Sequence, residues 1–140
     1  MTIIFKENQH LPEKAVHALY DSVGWSAYTK DMEKLLRGIQ NSFTITAYKE
    51  QELIGLVRYI TDEETILFVQ DLLVKPDFQR QGVGGELLDR VLNKHPEVNQ
   101  NLLLTDRTEN TICFYKRQGF KMAEDQEAAA FVKDRRYEDL

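Results

Sequence analysis

The sequence predicts a mixed α/β fold built on a central sheet, with the element order β-α-α-β-β-β-α-β-α-β. Three observations predict it. Three strand patterns follow one another between residues 43 and 74, separated only by short polar turns, as in a meander. Two helical patterns, with apolar residues three and four apart, precede them. The third strand then passes through a glycine-rich junction straight into an amphipathic helix.

Residues 2–6 read as the first strand. A helix follows from Leu11 to about Val23, with Pro12 tolerated in its first turn and Gly24 ending it. Thr29 is a cap for a second helix that carries Met32, Leu35, Leu36 and Ile39 on one face. Phe43, Ile45 and Ala47 alternate with Thr44, Thr46 and Tyr48, the pattern of a half-buried strand. A turn at 49–52 leads to a strand over 53–61. Asp62-Glu63-Glu64 turns the chain again into 65–74, which stops at Lys75-Pro76. Val83, Leu87, Leu88, Val91 and Leu92 share a helical face, and Pro96 ends that helix. Residues 101–105 are a short apolar strand. Asn110 is an N-cap and Gly119 a C′ residue for a helix over 110–118. A last strand is expected beyond Lys121, around Ala129–Val132. No repeat, linker or low-complexity segment interrupts the chain, so residues 1–140 are expected to form a single domain.

Composition excludes several classes. No apolar run approaches the roughly 18 residues of a membrane span, so no membrane is expected. The N-terminus lacks the basic and apolar regions of a signal peptide. A net charge of −5 argues against a general nucleic-acid surface. The single cysteine, Cys113, cannot form an internal disulfide, which suits a reducing cytoplasm. Cys113 itself is expected to be a small buried residue rather than a nucleophile. His10, His17 and His95 read as surface or loop residues without metal-ligand spacing, so no metal is expected.

The glycine-rich junction carries most of the chemistry. Gln79-Arg80-Gln81-Gly82-Val83-Gly84-Gly85 spans the turn and the first helical turn. Such a place offers free N–H groups and the positive end of a helix dipole, and glycine lets a phosphate come close. A plain turn does not need two helical glycines, each of which costs roughly 1 kcal/mol against alanine. No Lys-Ser/Thr follows, so this is not a P-loop. Leu87 replaces the third glycine of a dinucleotide fingerprint. The spacing Gln79-x-x-Gly82-x-Gly84 resembles the Q/R-x-x-G-x-G/A signature of the GCN5-related N-acetyltransferases, the GNAT family. A second segment strengthens the resemblance. Asn110, Tyr115 and Gly119-Phe120 match the family's N-x-x-A-x-x-x-Y-x-x-x-G-F in loose form, with Cys113 where alanine is frequent.

The resemblance implies a mixed sheet with helices on both faces and acetyl-CoA as cosubstrate. The N–H groups of Gln79, Arg80, Gln81, Gly82, Val83, Gly84 and Gly85 would hold the pyrophosphate. The pantetheine arm would pair with the strand before the loop, near Leu72 and Val74, where two strands splay. Tyr115 matches the tyrosine that protonates the departing thiolate; packing is the competing role for its ring. Asn110 either bonds the pantetheine or only caps its helix.

Direct attack by an amine needs no protein nucleophile, but the amine must be neutral. Asp71, on the strand beside the expected slot, either takes a proton through water or binds a cationic substrate, or else pairs with a nearby arginine or accepts backbone N–H bonds. Trp25 and Tyr28, between the first two helices, either line the acceptor pocket or fold back on the core. Arg58 and Tyr59 are weaker pocket candidates. The activity expected is acetyl transfer to a primary amine of a small molecule or peptide. The competing reading is a CoA-binding module without turnover. A homodimer is compatible with either.

Overall fold

The computed structural model describes residues 2–137. The chain divides between Leu104 and Thr105 into two compact units. The first holds strands β1 (Ile3–Glu7), β2 (Phe43–Lys49), β3 (Glu52–Thr61), β4 (Ile66–Val74) and β5 (Gln100–Leu103). Its helices are α1 (Glu13–Ser22), α2 (Ser26–Thr29), α3 (Met32–Gln40) and α4 (Val83–Lys94). The strands lie in chain order, antiparallel from β1 to β4, with β5 parallel to β4.

Helices cover both faces of this sheet. At Gly55 an added Cβ would meet Leu87 and Val83 of α4 at 3.2 and 3.4 Å. The next residue, Leu56, belongs to a core with Val16, Leu19 and Tyr20 of α1 and Leu35 and Ile39 of α3. Successive strand residues point to opposite faces, so α4 covers one side and α1 with α3 the other. β2 was expected to be half-buried. Its residues 44–47 are instead all buried, because α3 packs on the strand from one side and α4 from the other.

Two irregularities in β4 shape the site. β5 pairs with it only over Ile66–Val69, opposite Gln100–Leu103. From Gln70 to Val74 the β5 side of β4 has no strand partner among the described residues. Against β3, Asp71 lies opposite Arg58 and Val69 opposite Tyr59, so Gln70 is the extra residue of a bulge.

Several local expectations change. Asp31 caps α3, accepting from Lys34 N at 3.2 Å, while Thr29 ends the short α2 that replaces the expected loop. A carboxylate two residues on is the better acceptor for the helix start. His95 is buried rather than on the surface, with Nε2 2.9 Å from the Tyr59 hydroxyl.

The second unit contains α5 (Glu109–Arg117) and short 3₁₀ turns at Ala123–Gln126 and Arg135–Tyr137. Thr108 caps α5 by accepting from Thr111 N at 3.2 Å, so Asn110 lies inside the first turn rather than at the cap. Gly119 adopts φ +93, as a C′ residue should. Cys113 is exposed, not buried, because α5 has no fully buried face. The last strand expected around Ala129–Val132 is absent: the segment is irregular, and Phe131 is 93% exposed. An apolar run becomes a strand only where a neighbouring edge accepts its hydrogen bonds, and none of the described strands pairs with it. No helix among the described residues is long and apolar enough to cross a membrane.

Candidate active site

After β4 the chain makes a 3₁₀ turn at Pro76–Phe78, then reverses through Arg80 at φ +63 and Gly82 at φ +84. Gln79 ties this turn to the strand by donating Nε2 to Val74 O at 2.8 Å. Gly82 is the N-cap residue of α4. A Cβ there would meet no protein atom within 4 Å, so within the fold the glycine serves its left-handed backbone. Having no side chain, it leaves the helix start uncapped. The N–H groups of Val83, Gly84 and Gly85 therefore open a 12-residue helix without a side-chain acceptor. Arg80 and Gln81 are exposed beside them. Unsatisfied donors, a helix dipole and a nearby guanidinium together suit a diphosphate.

Leu72 and Val74 lie on the stretch of β4 that β5 leaves unpaired. Leu72 is half-buried and Val74 buried. An extended ligand carrying amides can add to such an edge as a strand would.

At the other end of that stretch stands Asp71, only 3% exposed. Of the roles open to it, pairing with an arginine is the one the geometry displays. Oδ2 accepts from Arg58 Nε at 2.8 Å and from the Tyr20 hydroxyl at 2.8 Å. Oδ1 accepts from the Tyr28 hydroxyl at 2.7 Å. Arg58 Nη2 also lies 3.3 Å from the Tyr28 oxygen, and Nη1 3.5 Å from Ser42 Oγ. The Tyr28 oxygen accepts a further bond from Gln70 Nε2 at 2.9 Å. Burial, and then the Asp71 charge, hold both phenols above the usual tyrosine range, Tyr20 by the larger margin. Both therefore stay protonated and donate to the carboxylate.

Of the two alternatives for Trp25 and Tyr28, packing on the core is the one the contacts display. They pack on the core of α1 and α3, yet remain partly exposed. Tyr20, Trp25 and Tyr28 form a cluster with ring centroids 5.2 to 6.2 Å apart. Tyr59 faces the other way. It is fully buried between Phe43 and His95 and so leaves the pocket candidates.

In the second unit, the Tyr115 ring packs against Phe114 and Phe120, centroids 5.0 and 6.0 Å away. Burial pushes its phenol up to about 12. It remains a proton donor across the neutral range. Asn110 is exposed on the same helix. Among the described residues, no group of three His, Cys, Asp or Glu is placed to hold a metal.

The sequence alone pointed to neither Tyr20 nor Gln70. Tyr20 sits beside Leu19 on an apolar helical face and reads as core. Gln70 reads as one polar position in a strand, because a bulge has no signature in side-chain spacing.

Comparison with known proteins identifies the architecture. The model of a GNAT acetyltransferase domain matches residues 40–122. The uncharacterized N-acetyltransferase ycf52 of Gracilaria tenuistipitata var. liui is 31% identical over 120 residues, covering 81% of this chain and 64% of that protein. The histone acetyltransferase TAP1 of Glycine max is 25% identical over 133 residues, covering 85% of this chain and 56% of its own length. The chain thus spans less than two thirds of either relative. A GNAT-family acetyltransferase structure from Streptococcus pneumoniae TIGR4 superposes with a TM-score of 0.85 at 30% identity, covering 96% of this chain and 99% of that one. A helix that starts uncapped at Gly82, a β4 edge left open from Gln70, and a domain match that spans both motifs agree: the chain belongs to the GNAT family of acetyltransferases.

Proposed function

We propose that the protein transfers the acetyl group of acetyl-CoA to a primary amine of a small molecule or peptide, by direct attack in a ternary complex. One observation carries this reading. The unpaired edge of β4 leads, through the turn over residues 75–82, to the uncapped start of α4. Pantetheine is an extended chain with two amides, and it ends in a diphosphate. An open strand edge followed by a helix N-terminus offers partners for both, in that order.

In this reading the amine nitrogen attacks the thioester carbon, a C–N bond forms and the C–S bond breaks. Tyr115 gives its proton to the departing thiolate. The amine loses its own proton to water. Asp71 is a positioning group rather than the base, since its two oxygens already accept three hydrogen bonds. Leu72, Val74 and residues 79–85 hold the donor; Trp25 and Tyr28 border the acceptor. The lone cysteine fits a reducing compartment such as the cytoplasm.

The test is turnover of acetyl-CoA against a panel of amines, followed by release of free thiol. Thiol release that depends on an amine supports transfer. Tight CoA binding with no amine-dependent release across the panel would leave a binding module.

A further inference from the structure

Tyr28 imposes a direction on its hydrogen bonds. A phenol has one proton and two lone pairs. Asp71, ion-paired with Arg58, is an acceptor and takes the proton at 2.7 Å. Arg58 has only donors, and its Nη2 lies 3.3 Å from the phenol oxygen. Toward Gln70 that oxygen can therefore only accept. Gln70 must present its amide nitrogen, which lies 2.9 Å away. The amide is not free to flip, and its Oε1 is turned away from Tyr28. A buried ion pair thus dictates, through one phenol, which atom an exposed side chain offers to solvent.

The location makes that atom useful. Gln70 is exposed, and among the described residues Oε1 accepts from no protein donor. It is the extra residue of the β4 bulge, so no β3 residue stands opposite it. It directly follows Val69, the last β4 residue paired with β5. It therefore stands where the open edge begins, at the opposite end from the Gly82 turn. That edge, Gln70 to Val74, is about 13 Å long at ~3.3 Å per residue. A donor whose diphosphate sits at the turn and whose arm follows the edge brings its thioester toward Gln70.

We infer that Gln70 Oε1 is the acceptor-binding atom, taking a hydrogen bond from the N–H of the incoming primary amine. Arg58, Asp71 and Tyr28 are positioning residues that hold it in that orientation. This assignment rests on the proposed acetyl transfer. An amide oxygen suits the task better than a carboxylate would. It accepts from an amine in either protonation state, and, being uncharged, it stabilises the ammonium form, which cannot attack, less than a carboxylate would.

The test uses the full chain saturated with CoA, so that amine binding is read without turnover. Binding of a panel of primary amines and of their N,N,N-trimethyl analogues is measured by calorimetry. Wild type should prefer the primary amine, because the trimethyl analogue has no N–H to donate. Gln70→Met keeps the length of an exposed side chain and removes the oxygen. It should weaken the primary amine about 10-fold, erase the preference and leave CoA affinity unchanged. Tyr28→Phe frees the amide to rotate and should give a smaller loss of the same kind. If Gln70→Met binds the amines as wild type does, or if CoA-loaded wild type shows no preference for a primary amine, the assignment is overturned. Absence of thiol release alongside a Gln70-dependent preference would sink the transfer reaction but support the amine site.

Discussion

At its C-terminal end strand β4 runs into a turn whose backbone donors have no side-chain cap. At Gln70 and Asp71 the same strand carries a cluster in which the carboxylate, two phenols and a guanidinium satisfy one another. One end leaves polar groups open; the other closes them. The difference separates holding a ligand from holding a geometry. Open donors at a helix start cost little in water and gain an anion. A buried charge without partners costs several kcal/mol, so it is tolerated only when fully bonded.

The closed end should be the more fragile. Asp71→Ala leaves the Arg58 guanidinium buried and strands two phenols, and should cost about 3–5 kcal/mol in urea unfolding. A loss under 1 kcal/mol would mean that water already solvates the cluster. The open end should be fragile only toward ligand. At 100 times its dissociation constant, CoA should stabilise the wild type by about 2.7 kcal/mol, seen as a rise in Tm. Gly84→Glu places bulk and negative charge where the diphosphate must sit, and should remove that rise. A Tm shift that survives Gly84→Glu would put the diphosphate elsewhere.

Tyr115 extends the comparison to the second unit. Tyr115→Phe should slow the chemical step about 10²-fold while CoA still raises Tm. With its phenol at about 12, Tyr115 should contribute no alkaline limb to the rate below about pH 11. Wild-type rates in the mutant, with a poor amine acceptor, would reduce Tyr115 to packing. Trp25 borders the closed end but is partly exposed. Trp25→Ala should therefore cost less than the ~3–5 kcal/mol of a fully buried tryptophan, and it should raise the Michaelis constant of the amine. Unchanged amine kinetics in a folded mutant would take Trp25 out of the pocket.

The smallest effect concerns His95. Burial first, and then the Lys94 charge, hold its imidazole below the usual histidine range. In the unfolded chain it takes up a proton near pH 6.5; in the folded chain it resists until lower pH. The unfolded state then binds more protons, so stability should fall as pH drops through about 6.5 toward the folded value. His95→Gln should flatten that slope in unfolding curves taken between pH 7 and 5. An unchanged slope would assign it to other groups.

How much of this the sequence displays depends on the range of the interaction. Gly119 adopts the left-handed backbone that its place after a helix suggests. The meander of β2 to β4 and the helix of Val83, Leu87, Leu88 and Val91 follow from periodicity, because burial selects side chains at fixed intervals. The caps at Asp31 and Thr108 were missed by two residues each, since neighbouring polar residues compete for the same N–H groups. The expected strand near Ala129 failed because its pattern is local while its hydrogen bonds must come from elsewhere.

By itself, then, the sequence determined the meander of β2 to β4, the glycine-rich turn into α4 and the resemblance to the family. Each rests on short runs or motifs, within any one of which the residues lie about a dozen positions apart or less, where spacing is a direct image of geometry. Only the tertiary structure decided what Asp71 does. Its partners come from α1, α2 and β3, as far as 51 residues away along the chain. The same holds for Gln70, whose role follows from a bulge and from the place where β5 ends. A hydrogen-bond direction set by a distant carboxylate leaves no trace in the spacing of nearby residues.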